Sequence, residues 1–386
     1  MQTLVIGFGA SGRSAAELLR KNGKKALIVD RDPKYGFPET VEMKEIEQVI
    51  LSPGIPRSHP LVGEAVERGI EVIGEAEFAF RHLKNRAIGI TGTNGKTTTT
   101  LMIQHLLERA GKKAVALGNI GRSLSSYALN PNPEDLLVVE LSSFQLETMA
   151  SKCLDAALLL NITPDHLDRY DSVREYAMAK CRIENCLKND GVLWISNQVV
   201  QEAGDLLRSH NLFGENNAQA AAAVCRHFGI DEIDLRAFRK PAHRIEFVEE
   251  WEGIQFYNDS KATNIDSVRY AVAEIDGPII LLAGGVDKGA SYRPWIADFC
   301  GKVKRIVAFG QAASKIECEL KKDIWVDRVE GLHDAIFCAM RSAERGMKIL
   351  LSPGCSSFDQ FRNYEHRGEE FCRMVRGKIW IEERSF

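Results

Sequence analysis

The chain has 386 residues, a formal net charge of −3 and 45% hydrophobic residues. Such a length suits about two or three domains, the composition is that of a globular protein with several cores, and the balanced charge excludes a global basic field recruiting nucleic acid or membrane. Nine cysteines form no CxxC pair and no Cys/His set at zinc spacing, which points to reduced thiols in a cytosol rather than a disulfide framework.

In chain order, Thr3–Ile6 reads as a strand entered at once, with no export signal ahead of it. The loop Gly7-Phe8-Gly9-Ala10-Ser11-Gly12 follows, and Asp30 closes the next strand, Ala26–Val29. This fits a dinucleotide fingerprint, a weak signal on its own. Only about 84 residues precede the next glycine loop, too few for the usual two mononucleotide halves. Lys21–Lys25 reads as a solvated helix end. Further apolar runs follow at Val49–Leu51, Ile88–Ile90, Leu136–Leu141, Ala156–Leu160, Ile279–Leu282, Arg305–Phe309 and Ile349–Leu351. Continuous runs of this length, alternating with helical patterns, predict strands buried on both faces and right-handed βαβ units. The predicted fold class is therefore α/β with parallel sheets. Polar His82–Arg86 and Ala237–His243 divide the chain into 1–84, 85–240 and 241–386. Cys225 and Cys338 sit in apolar helical patterns and read as small core residues. No apolar run nears the roughly 20 residues of a membrane span, so the expectation is a cytoplasmic protein with neither nucleic-acid nor membrane partner.

The strongest motif begins at Gly89 and runs through Gly92-Thr93-Asn94-Gly95-Lys96-Thr97. Strand, glycine turn and helix start aim backbone N–H groups at phosphate. Lys96 is placed to reach the outer phosphates of a nucleoside triphosphate, and the Thr97 hydroxyl to ligate magnesium. Leu101, Leu106, Leu107 and Ala110 mark the apolar stripe of the following helix. Glu140 ends a buried-strand run and is followed by Ser142, Ser143 and Gln145, which favours a magnesium ligand over a solvated strand end. His166 lies just beyond another strand, as a metal or phosphate ligand or as a surface side chain. Lys180, flanked by Ala177, Met178 and Ala179, reads from the residues alone as a snorkelling lysine.

Together, Gly92–Thr97, Glu140-Leu141-Ser142-Ser143-Phe144-Gln145-Leu146-Glu147 and Asn161–Tyr170 resemble the Mur ligase family, which includes the folylpolyglutamate synthetases. The likeness runs from the first strand to Arg367-Gly368. It implies three domains: a Rossmann-like first domain taking a uridine diphosphate group, a central P-loop domain, and a Rossmann-like C-terminal domain holding an amino acid. By this resemblance Gly92, Thr93, Asn94, Gly95, Lys96, Thr97 and Thr98 bind ATP. Asn217 contacts adenine, Arg244 lies near phosphate and Asp259 near ribose. Two magnesium ions are implied, with Thr97, Glu140, His166 and a carbamylated Lys180 as ligands; Lys96, His166, Lys180 and Arg244 form the catalytic set. Ser11, Gly12, Asp30, Arg31 and Asn119 face the uridine-linked acceptor, with Ser52–Pro56 beside them. Thr263, Lys288, Ser357, Phe358 and Tyr364 hold the amino acid.

Ser352–Phe361 resembles the signature of the family branch that adds D-glutamate to UDP-N-acetylmuramoyl-L-alanine, and the Asp-Asn-Pro-Arg motif of the diaminopimelate-adding branch is absent. The implied enzyme is a monomeric, ATP-dependent amide ligase working through an acyl phosphate. A folylpolyglutamate synthetase-like ligase is disfavoured by the UDP-type first domain and Ser356–Phe361. A catalytically silent nucleotide-binding protein is disfavoured by the intact Lys96, Glu140, His166 and Lys180. One departure from the family stands out: only Cys181–Glu215 separates the lysine helix from Asn217, so an antiparallel accessory sheet is expected to be missing or abbreviated. The first domain is also compact between Asp30 and Val49.

Overall fold

The computed structural model describes residues 2–30 and 41–382. The chain divides into two compact units, Met1–Ile162 with Arg174–Phe238, and Thr163–Val173 with Arg239–Phe386.

The first unit carries two sheets. Strands β1 (Gln2–Ile6), β2 (Ala26–Val29), β3 (Ile46–Leu51) and β4 (Glu71–Gly74) form a parallel sheet in the order β2-β1-β3-β4. Strands β5 (Ala87–Thr91), β6 (Ala114–Gly118), β7 (Leu136–Glu140), β8 (Leu154–Leu159), β9 (Leu187–Ile195) and β10 (Asn211–Leu212) form the second, in the order β10-β9-β8-β5-β7-β6. All its pairings are parallel. Every residue of β5 and β7 is buried, as continuous apolar runs between helix layers require. Cys181–Glu215 contributes only β9, β10 and short helices, and no antiparallel strand joins this sheet among the described residues.

Two carboxylates join these sheets. Helix Glu75–Phe80 is buried along its whole length. Glu77 accepts from the Ala150 and Ser151 N–H groups at 2.9 and 3.0 Å and from Ser151 Oγ at 2.6 Å. Glu75 accepts from Ser125 N–H at 2.6 Å. Burial pushes the Glu75 carboxyl up; at Glu77 the same burial is outweighed by those donors and by Arg81, and its carboxyl is lowered.

The second unit carries β11 (Glu246–Trp251), β12 (Ile254–Asn258), β13 (Ile279–Gly284), β14 (Val303–Phe309), β15 (Trp325–Arg328) and β16 (Lys348–Gly354), ordered β11-β12-β16-β13-β14-β15. It is parallel except at one edge, where β11 and β12 form an antiparallel hairpin. The apolar runs gave no sign of that strand because Glu246, Glu249 and Glu250 interrupt Glu246–Trp251, none of whose residues is fully buried.

Helix Lys96–Arg109 buries Thr97–Thr100, Ile103, Leu106 and Leu107. Leu101 is half-buried and Ala110 exposed, so the predicted stripe is partly wrong. Thr97 meets Glu140 of β7, and the four consecutive buried threonines cover about a full turn of the helix, so burial at its start is not confined to a stripe. Cys225 is fully buried and Cys338 half-buried. Lys21, at a helix end as expected, bonds Leu129 O and Asn130 Oδ1.

Candidate active site

Ligand sites in open parallel sheets lie at the carboxyl ends of strands, and all three sheets present polar loops there. Beyond β1 and β2, Phe8 N–H donates to Asp30 Oδ2 at 2.5 Å. After β3, Ser52 Oγ donates to Gly7 O at 2.9 Å. A Cβ on Gly12 would fall 1.8 Å from Gly7 O, so only glycine lets the helix start pass this turn. Ser11 lies in the first turn of that helix, beside Gly12. Arg31 lies outside the described residues.

In the second sheet, β7 ends at Glu140, while adjacent β8, β5 and β6 lead into Asn161, the glycine loop and Asn119. Gly92 and Gly95 take φ values of +146° and +84°, the latter packing its bare Cα against Asn217, whose Oδ1 would lie 2.5 Å from any Cβ. Thr97 Oγ1 donates to Glu140 Oε2 at 2.7 Å, and Asn119 Nδ2 donates to Glu140 Oε1 at 3.0 Å. Lys96 Nζ curls back on Gly92 O and Thr93 O at 2.9 and 2.8 Å. Lys180 is 1% exposed, with Nζ donating to the same Gly92 O at 2.9 Å and lying 4.4 Å from the Tyr176 ring centroid. A lysine inside the core beside the phosphate loop does not snorkel. Thr98 is buried against the same helix start.

Among the described residues no cluster of three acidic, histidine or cysteine side chains could cage a metal. A hydroxyl and a carboxylate 2.7 Å apart at a phosphate loop are instead the sparse oxygen set that magnesium accepts when phosphates and waters complete its shell. The donors fit the ion.

The second unit carries Asp259, Thr263, Lys288, Ser357, Phe358 and Tyr364 in the segments that follow adjacent β12, β13 and β16, with His166 in Thr163–Val173 and Arg244 ahead of β11. Asn264 caps helix Ile265–Glu274 through Ser267 N–H, and its Nδ2 donates to Asp165 Oδ2 at 3.0 Å. Lys288 Nζ lies 3.0 Å from Asp165 Oδ1. Burial alone would raise the Asp165 carboxyl, but Lys288 and then His166 and Asn264 outweigh it and hold it down at about 2. His166 itself, at φ +55°, starts the next turn and donates its N–H to Asp165 Oδ1 at 2.9 Å. Thr263 is half-buried beside Asn264, and Ser357 is buried whereas Phe358 is 73% exposed. Tyr364 O accepts from Ser260 Oγ at 2.8 Å, and the Tyr364 ring faces Lys261 Nζ at 4.9 Å.

Arg244 Nε is buried and finds no hydrogen-bond partner among the described residues. Its neighbours His243 and Ile245 take φ of +61° and +49°. Strain of this kind persists where surrounding structure enforces it. Here Asp259 does so, accepting from Ile245 N–H at 3.3 Å and from Ser352 Oγ at 2.7 Å. Asp259 is buried and its carboxyl is pushed up to about 7, chiefly by desolvation.

Three structural keystones escaped the sequence reading as individual residues. Asp165 and Asn161 both fall inside the Asn161–Tyr170 motif, which was the available signal. Arg367 is fully buried and donates to Ser260 Oγ, Ser260 O and Cys355 O at 3.0, 2.8 and 3.1 Å, tying together the loops after β12 and β16.

A family model for the Mur ligase middle domain matches residues 90–246, and one for the Mur ligase, glutamate ligase domain matches residues 243–355. The chain belongs to the Mur ligase family. Its sequence is 43% identical over 433 aligned residues to the UDP-N-acetylmuramoylalanine--D-glutamate ligase of Protochlamydia amoebophila, covering 97% of this chain and 98% of that one. It is 36% identical over 444 residues to the protein of the same name from Caldanaerobacter subterraneus, with the same coverage of each chain. Both alignments are longer than the chain itself, so these Mur ligase relatives carry segments it lacks. Among solved structures, the UDP-N-acetylmuramate-alanine ligase MurC of Thermotoga maritima superimposes with a TM-score of 0.60 at 16% identity, covering 98% of this chain and 100% of that one. The MurF ligase of Thermotoga maritima in complex with ADP gives a TM-score of 0.60 at 15% identity over 89% of this chain and 98% of that one. These two establish the shared Mur ligase fold. Among the described residues no helix is long and apolar enough to cross a membrane.

Proposed function

We propose that the chain is an ATP-dependent ligase that joins D-glutamate to the L-alanyl carboxylate of UDP-N-acetylmuramoyl-L-alanine in peptidoglycan precursor synthesis. The observation that carries this reading is the near full-length identity to ligases of that name, in a chain whose phosphate loop and Thr97–Glu140 pair are intact.

A carboxylate is a poor acyl donor, and transfer of the γ-phosphoryl group makes it an acyl phosphate with a good leaving group. Lys96 supplies positive charge at the outer phosphates once its Nζ turns from the loop carbonyls, and the helix start at Lys96 presents N–H groups to the same anion. Magnesium held by Thr97 and Glu140, and at a second position by His166 and Lys180, would neutralise charge on the triphosphate. We assign Lys180 as carbamylated, which converts a buried cation next to Gly92 O into an anionic oxygen ligand. Arg244, with an unpartnered Nε, is suited to the transferring phosphoryl group. Gly92, Thr93, Asn94, Gly95 and Thr98 frame the phosphates, Asn217 takes the adenine end, and Asp259 serves the ribose end through the loop it holds. The amine of D-glutamate then attacks the acyl carbon, a C–N bond forms, the C–O bond to phosphate breaks and phosphate leaves. Lys288 and Thr263, with Ser357, Phe358 and Tyr364, bind the two carboxylates and stem of the amino acid, and Ser11, Gly12, Asp30, Arg31 and Asn119 the uridine-linked acceptor. We read the sheets as three functional domains, 1–84, 85–240 and 241–386, in a cytoplasmic monomer.

The test is product formation. With magnesium, bicarbonate and ATP, phosphate release should require both UDP-N-acetylmuramoyl-L-alanine and D-glutamate. No ADP from the complete mixture would sink the assignment.

A further inference from the structure

We propose that Asn161 is a positioning residue that shapes the phosphate loop and thereby sets nucleotide affinity, without itself touching phosphate. This rests on the reading of the loop as the ATP site.

Strand β8 ends at Leu159, yet its bonding to the neighbouring β5 continues beyond that point. Leu160 N–H donates to Thr91 O at 3.0 Å, and Thr93 N–H donates to Asn161 O at 2.9 Å. The Asn161 side chain then takes over from the backbone. Its Oδ1 accepts from Asn94 N–H at 2.8 Å and its Nδ2 donates to Asn94 O at 3.1 Å. One primary amide thus pairs with both polar groups of a single loop residue, as an adjacent strand would. The first half of the loop is laced to β8 and left with little freedom.

The consequence is a division of labour within Gly92–Thr97. The N–H groups of Thr93 and Asn94 are directed at Asn161, so phosphate falls to the N–H groups at the start of helix Lys96–Arg109. The loop's contribution is its shape, fixed before the ligand arrives, and preorganisation of this kind raises affinity by lowering the ordering cost of binding. Asparagine suits the task because its amide places a separate donor and a separate acceptor side by side on a short stem. Aspartate keeps the acceptor, loses the donor, and adds negative charge near the phosphates.

The chain also contains its own control. Gln198 makes the same two-bond pairing with the next residue, accepting from Ile162 N–H at 2.9 Å and donating to Ile162 O at 2.5 Å, but from helix Asn197–Ala203 rather than toward the loop. A general loosening of the β8 end would follow from either amide. A specific effect on nucleotide would follow from Asn161 alone.

The experiment titrates MgADP calorimetrically into the full chain for wild type, Asn161→Asp, Asn161→Ser and Gln198→Ala, with folding checked by circular dichroism, and measures KM for each substrate. Asn161→Asp loses one hydrogen bond and gains a charge near the phosphates, and Asn161→Ser loses the two-bond pairing, so MgADP binding should be at least about tenfold weaker in both. KM for ATP should rise by about the same factor, while KM for the uridine-linked acceptor and for D-glutamate stays within about twofold. Gln198→Ala should lower thermal stability at unchanged MgADP affinity. Affinity within about twofold of wild type in a folded Asn161 variant would overturn the proposal, as would an equal loss in Gln198→Ala. Failure of the wild type to bind MgADP would instead refute the nucleotide site itself, and this inference with it.

Discussion

Asp259 makes stability depend on pH in an unusual direction. Its carboxyl is buried, one oxygen facing Ser352 Oγ at 2.7 Å and the other Ile245 N–H at 3.3 Å. Desolvation outweighs these bonds and the nearby Arg244 and Lys240 charges, raising the group from 3.8 to about 7. Between those values the folded chain holds a proton that the unfolded chain has released, so stability falls as pH rises from about 4 to about 7 and is level above. At about 1.36 kcal/mol per unit, the two units between pH 5 and pH 7 correspond to about 2 to 3 kcal/mol. Asp259→Asn keeps the shape and removes the titration. Urea unfolding of the nucleotide-free chain should therefore show the variant gaining about 2 to 3 kcal/mol on the wild type between pH 5 and pH 8. Tryptophan fluorescence is the suitable probe, because Trp251, Trp295, Trp325 and Trp380 lie in the second unit with Asp259 and only Trp194 lies in the first. A constant offset between the two proteins across that range would refute the argument.

Arg367→Met, which strips three donors from a fully buried position, should destabilise the second unit by about 3 kcal/mol or more by the same fluorescence assay; a loss below about 1 kcal/mol would contradict its bracing role. Gly12→Ala forces a Cβ onto Gly7 O and should weaken binding of the uridine-linked acceptor at least about tenfold with MgADP affinity unchanged, read by calorimetry with each ligand. Lys180→Ala should be inactive in the phosphate-release assay and partly restored by short-chain carboxylates. Full activity without rescue would end the carbamate assignment.

The sequence by itself determined what is local. Strand, glycine turn, Lys96 and helix are contiguous, and the backbone conformations at Gly92 and Gly95 are ones that glycine permits and other residues resist, so the phosphate loop could be read in place. The buried parallel strands were legible for a similar reason: a run such as Leu136–Val139 has no polar face to turn toward water. Strand order was not legible, since pairing joins residues far apart in the chain. Thr97 meets Glu140 across 43 positions, and Asn94 meets Asn161 across 67. Only the order β8-β5-β7-β6 brings Asn161, the loop, Glu140 and Asn119 to one edge. The charged residues inside the fold were the hardest to see. Arg367, Asp165 and Lys180 look in sequence like surface side chains, and their burial is tolerable only because distant partners satisfy them: Ser260 and Cys355 for Arg367, Lys288 and Asn264 for Asp165, Gly92 O for Lys180. A charge is placed inside by its partners, and those are known only once the chain has folded.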